Sequence, residues 1–314
     1  MDALQNGDTS DREEEGEQRV KARPEYIAPT SLNDALAALA GSEGRYTPIA
    51  GGTDLLPRMR AGEVVPSALL DMRLLPLKHI GVENGQVAIG ACVTHTAILE
   101  SRALREVLPA LAEACQAIVG PPVRNRGTLG GNLVNASPAG DTPLPLLVYD
   151  ANLVLSRNGS ERVVPLPSFF RGPGQTVLDQ DELLTEVRVP VPPPGTAAFF
   201  TKLGKRHAMA IAVVSVATRL SLDRYGRVDR ARIALGSVAP TPFRAIDAEA
   251  VLEGTFASED QVEQAAKVAS QEASPISDIR ASADYRLRMV SVLVRRALVS
   301  TLEILRGDND CARD

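Results

Sequence analysis

Apolar positions along the chain change period several times, and the changes divide it. Ser31-Leu32-Asn33-Asp34 has the form of an N-cap with an acidic residue three places on. Leu32, Ala35, Leu36 and Leu39 then recur at helical spacing until Gly41. Tyr46 to Ala50 predicts a strand, Gly51-Gly52-Thr53-Asp54 a turn, Leu55 to Arg60 a helix closed by Gly62, and Ala68 to Asp71 another strand. A second run follows: a strand over Val87–Ala91, a helical start at Thr94 and Thr96, and two short helices between Leu104 and Ile118. Leu144 to Leu147 reads as a buried helical turn. Ala151–Ser156 and Arg162–Val164 read as a hairpin around Asn158-Gly159, and Leu183–Pro190 as the closing strand. Between them, Arg126 to Asp141 shows neither helical nor strand period and reads as a long tight turn rich in glycine and asparagine.

Pro190-Val-Pro-Pro-Pro-Gly195 is the clearest linker. Beyond it, strands are predicted over Ala197–Leu203, Ile211–Leu222 and Val228–Gly236, and helices over Ala245–Leu252, Glu259–Glu272 and Tyr285–Leu305. Strands first and helices after give an α+β unit. Residues 1–22, polar and acidic, lack the apolar surface to offset chain entropy and are expected to be a disordered tail. The expected organisation is a first domain over 23–194 with lobes of about 23–75 and 76–194, a second over 195–306, and a tail over 307–314.

Composition narrows the function more than the fold. A net charge of -5, 4% aromatics and no Trp disfavour nucleic acid. Cys92, Cys115 and Cys311 form no CxxC pair, and His79, His95 and His207 are scattered, so a zinc or iron–sulfur site held by this chain alone is not expected. The odd cysteine count and the lack of a signal peptide or membrane-spanning apolar run predict a cytoplasmic protein with no membrane span.

The chemistry is concentrated in the two glycine stretches. Strand, Gly-Gly-Thr, helix sets backbone amides against an anion, although neither GxGxxG nor GxxxxGK[ST] is present. Arg124 and Arg126 flank the second stretch and could balance a diphosphate. Asp141 reads either as an acceptor for sugar hydroxyls or as the cap of the turn before Pro143. Lys202 and Arg206 could meet a phosphate or an acidic partner, or form a solvated run with Lys205 and His207. His95 reads as structural or exposed. Two anion nests on separate lobes suit a long ligand with a central diphosphate, such as a dinucleotide.

Ile49-Ala-Gly-Gly-Thr-Asp-Leu55, Gly127-Thr-Leu-Gly-Gly-Asn132, Asn135-Ala-Ser-Pro138 with Asp141, Glu182-Leu-Leu184 before Val187-Arg-Val-Pro190, and Phe200-Thr-Lys202 before Ala210-Ile-Ala-Val213 occur in this order. Together they resemble the flavin-binding subunit of molybdenum hydroxylases, the family of xanthine dehydrogenase and aerobic carbon monoxide dehydrogenase. The likeness runs from about Pro24 to Leu305. It implies an α+β fold: a two-lobed PCMH/VAO-type FAD-binding domain followed by an α+β C-terminal domain of three strands and helices.

The resemblance also implies non-covalent FAD at Ile49, Ala50, Gly51, Gly52, Thr53, Asp54, Leu55, Thr128, Gly130, Gly131 and Asn132, with Asn135, Asp141, Leu184 and Lys202 as further contacts. It implies no acid–base catalytic residue and no metal ligand in this chain. Molybdopterin and two [2Fe-2S] clusters would sit in a large and a small partner subunit, as a dimer of heterotrimers passing electrons through FAD to NAD+, a quinone or another acceptor. Where xanthine dehydrogenases carry an aromatic before the second glycine motif, this chain has Ile118 or Val119. No cysteine-rich insertion of the hydroxybenzoyl-CoA reductase kind is present. A stand-alone FAD oxidoreductase of the same fold and a ligand-binding module without redox role are the alternatives.

Overall fold

The computed structural model describes residues 24–118, 120–206 and 210–311, with burial described as far as 307. The expected tail over 1–22, Val119 and His207 lie outside the described residues.

The first lobe is a three-stranded parallel sheet. Ala68–Asp71 lies in its centre, between Glu25–Ile27 and Tyr46–Ile49. Parallel neighbours need crossover connections, and the helices Leu32–Ala40 and Leu55–Ala61 provide them. Ser31 caps the first by accepting from the Asp34 amide at 3.1 Å, as its sequence predicts. Ala35, Leu36 and Leu39 from this helix pack on Leu70, Met72, Leu75 and Leu77.

The second lobe is a five-stranded antiparallel sheet ordered Ile80–Glu83, Gln86–Gly90, Leu183–Pro190, Asn152–Arg157, Ser160–Pro165. Leu183–Pro190, last of these in the chain, is therefore central in space. Helices His95–Glu100, Arg102–Val107, Pro109–Ala117 and Pro143–Val148 cover its core, and Pro143–Val148 is buried at every position.

Past the proline linker, Thr196–Gly204, Ala212–Leu222 and Val228–Gly236 form an antiparallel sheet completed by the two-residue strand Phe243–Arg244. Helices Ile246–Leu252, Glu259–Glu272 and Ala283–Cys311 pack on one face of it, through Val290, Val294, Ala297, Leu298 and Leu302 among others. The final helix runs beyond Leu305, where the apolar repeat ends. On the other face, Ala198, Phe200, Ala217 and Ala234 enter the core of the second lobe. The C-terminal sheet is thus built into the core of the preceding lobe, and the helix Pro143–Val148 lies between them.

Candidate functional site

The strand Tyr46–Ile49 delivers the first glycine turn. Gly52 takes a left-handed φ of +71°, which glycine adopts at no steric cost. The helix Leu55–Ala61 then starts without a side-chain cap, because Asp54 is turned to Arg58 instead, at 3.5 Å. The amides of Gly51, Gly52, Thr53 and Asp54 find no acceptor among the described residues. Neighbouring free N–H groups in a turn form an anion-binding concavity.

The second stretch differs from its expected form. Leu129–Val134 is a short helix, preceded by another over Pro121–Arg124. Two glycines in sequence hide it, since glycine disfavours helix by about 1 kcal/mol each. Long-range contacts impose it. Leu129 N–H donates to Val93 O and Gly130 N–H to Ala91 O, both at 2.9 Å, while Thr128 Oγ1 caps the Gly131 amide at 3.1 Å. A Cβ on Gly130 would lie 2.6 Å from Ala91 Cβ, so this glycine serves close packing. Asn132 Oδ1 accepts from Thr142 Oγ1 at 2.6 Å, and half-exposed Asn135 ends the helix.

The two stretches meet. A Cβ on Gly51 would fall 1.9 Å from Arg126 O and 3.0 Å from Gly127 Cα. Ile49, Ala50, Gly51, Gly52 and Leu55 are partly buried there, whereas Thr53 and Asp54 are exposed.

A third element comes from the C-terminal sheet. Lys202 Nζ reaches Asp141 Oδ2 at 2.6 Å and Ala117 O at 2.7 Å. Asp141 Oδ1 is buried without a partner. Burial outweighs the pull of Lys202 and raises the Asp141 carboxyl to about 6. Asp141 does not cap the helix Pro143–Val148, whose N-cap is Thr142 without a side-chain bond. Beside Lys202 a cavity of about 580 Å³ opens between the helix Pro109–Ala117 and the strand Thr196–Gly204, lined by Glu113, Gln116, Thr201 and Lys202 among others. Glu113 accepts from the Phe200 amide at 2.8 Å, and burial raises its carboxyl above the usual range. Glu113 and Gln116 carried no signal in the sequence, where each reads as an ordinary solvated helix residue.

Other candidates stand apart. Leu184 is buried in the second lobe's core, one residue before Thr185, whose carbonyl accepts from the Ala91 amide. The strand that carries it packs against the helix Leu129–Val134. Arg124 Nη1 donates to the carbonyls of Gln116 and Ile118, both at 3.0 Å, which holds the side chain against the end of the helix Pro109–Ala117, whereas Arg126 is exposed. His95 is buried, with Nδ1 3.7 Å from Cys115 Sγ, and burial lowers it to about 4, consistent with the structural reading. Among the described residues no cluster of three metal-ligating side chains occurs. No described helix is long and apolar enough to cross a membrane.

An orphaned buried carboxylate oxygen, free turn amides and a cavity of this size fit a ligand that carries hydroxyl or N–H donors, a diphosphate and a ring system. FAD is such a ligand. Residues 19–192 match the family described as FAD binding domain in molybdopterin dehydrogenase, and residues 199–301 the CO dehydrogenase flavoprotein C-terminal domain. The chain is 36% identical to the carbon monoxide dehydrogenase medium chain of Hydrogenophaga pseudoflava, over 89% of this chain and 97% of that one. It is 32% identical to the xanthine dehydrogenase FAD-binding subunit of Escherichia coli O157:H7, over 90% and 97%. A solved Hydrogenophaga pseudoflava carbon monoxide dehydrogenase, lacking the Mo-pyranopterin moiety of its molybdenum cofactor, superposes with a TM-score of 0.87 at 35% identity, covering 90% of this chain and 99% of that chain.

Proposed function

The chain belongs to the FAD-binding subunits of molybdenum hydroxylases, and we propose on that premise that it is the electron-transfer subunit between an iron–sulfur partner and a terminal acceptor. In this reading a small [2Fe-2S] subunit and a large molybdopterin subunit complete a heterotrimer, paired into a dimer, in the cytoplasm. The acceptor is NAD+, a quinone or another oxidant. Bound FAD supplies the step from one-electron delivery to two-electron release.

This chain's residues bind and orient. The amides of the segment from Ile49, Ala50, Gly51, Gly52, Thr53 and Asp54 to Leu55 would receive the diphosphate, and the abutting segment with Thr128, Gly130, Gly131, Asn132 and Asn135 would close over it. Asp141 would accept from a hydroxyl or N–H, with Lys202 holding its charge. Leu184 would act from the core, through the packing of its strand against the helix Leu129–Val134. The attachment is non-covalent in this reading, since neither glycine motif carries a histidine or cysteine.

The observation that carries this reading is the backbone contact of Gly51 with Arg126 and Gly127, which makes one site of two distant motifs. The purified chain should bind FAD, show a flavin spectrum and turn over no substrate until its partners are added. Gly131→Val, whose Cβ would meet only Thr128 Oγ1 within 4 Å, should lose FAD while its circular dichroism stays native. Turnover by the lone chain would favour the stand-alone oxidoreductase instead.

A further inference from the structure

The buried helix Pro143–Val148 is gripped at both ends by the C-terminal sheet. Before it, Asp141 meets Lys202. After it, Asp150 collects three arginines from three successive strands of that sheet. Arg219 Nη2 lies 2.8 Å from Oδ2, while Arg244 Nη1 and Arg232 Nε lie 3.1 and 3.3 Å from Oδ1. Arg232 and Arg244 have further carboxylates in Glu249 and Glu253. Arg219, almost wholly buried, has Asp150 as its acidic partner.

The local backbone makes Asp150 an unexpected choice. It follows the C-cap Tyr149 with φ +55°. Its N–H donates to Leu147 O at 3.2 Å and the Ala151 N–H to Leu146 O at 3.0 Å. This is the Schellman pattern, whose left-handed position is normally glycine. Aspartate is among the few residues that tolerate it, but glycine would terminate the helix with less strain. The carboxylate, with its three arginines, is the feature that glycine would lack.

Between the two ends the helix lies close against the sheet: a Cβ on Gly236 would fall 2.8 Å from Leu144 Cδ1. Lys202 and Arg219 sit on paired strands, opposite Ser215 and Ala198 respectively. A shift of the sheet at Asp150 is therefore transmitted to Lys202.

We propose that Asp150 is a positioning residue for the flavin site: by anchoring Arg219, Arg232 and Arg244 at one end of the buried helix, it fixes Lys202 against Asp141 at the other. This rests on the reading that Asp141 and Lys202 face FAD.

The test is a double-mutant cycle on FAD dissociation constants, measured on the full chain by flavin fluorescence beside thermal midpoints. Asp150→Gly keeps the helix end and removes the carboxylate, and should weaken FAD about tenfold. Lys202→Met should weaken it further, and the double variant should be no weaker than Lys202→Met alone. The flavin absorption band should move the same way in both single variants, which a loss of stability alone would not produce. Asp150→Glu should recover part of the affinity. If Asp150→Gly does not fold, Arg244→Gln replaces it in the cycle under the same criteria. FAD affinity unchanged in the variant, or losses that multiply in the double variant, would overturn the proposal. A wild-type chain that takes up no FAD would instead remove the functional reading on which it rests.

Discussion

In the turn from Ala50 to Leu55 the backbone amides of Gly51 to Asp54 are left free, and in the segment from Gly127 to Gly131 they are nearly all spent. Leu129, Gly130 and Gly131 each donate within the protein. Both segments are rich in glycine and both lie at the same place, yet glycine does different work in each. In the first it lets donors point away from the protein. In the second it lets a helix settle on Ala91, while the missing Cβ of Gly51 in the first leaves room for Arg126 O. A glycine motif is therefore not by itself an anion site; the destination of each N–H decides.

The largest effect that would sharpen this contrast is at the contact itself. Gly51→Val places a side chain where Arg126 O already lies, and should cost about 3 kcal/mol or more as well as FAD binding. Chemical denaturation and flavin titration measure both. A variant that keeps either one would show that the segments can separate without loss.

Next is pH, which should act on the second segment alone, because Asp141 is buried and Asp54 is exposed. Asp141 is held at about 6, above the roughly 3.9 of an unfolded aspartate. Its contribution to stability is fully present below about pH 4 and is lost as the pH rises through about 6. Across that window the FAD-free chain should lose on the order of 3 kcal/mol relative to Asp141→Asn. Urea midpoints at a series of pH values test this, and an equal slope in the variant would place the proton elsewhere.

The smallest effect separates the two helix starts. Thr128→Ala removes a real cap and should cost about 1 kcal/mol, whereas Asp54→Ala removes none and should change the melting temperature hardly at all.

Much of the framework was legible where local chemistry and tertiary structure agree. The helix Glu259–Glu272 matches its expected bounds because Ser258 and Gln261 form a reciprocal capping box in front of an apolar stripe. The hairpin around Asn158-Gly159 forms because Gly159 takes φ +78°. The helix Leu129–Val134 was not legible, since its glycines oppose it and only Ala91 and Val93 make it favourable. For the site, residue types singled out both glycine segments and, separately, Asp141 and Lys202, but not that these two pair. The meeting of the segments at Gly51, the orphaned Asp141 oxygen, the commitment of Arg124 to carbonyls and the presence of Glu113 depend on separations in space that no local pattern encodes.

Ala198, Phe200, Ala217 and Ala234 complete the core of the lobe that precedes them. During synthesis that lobe leaves the ribosome with its apolar socket uncovered, until the chain has grown from the Pro192–Pro194 stretch to Gly236. At ordinary elongation rates this exposure lasts roughly 2–8 s. Nascent chains therefore pass through a window in which aggregation competes with closure, and slow decoding across these strands would widen it.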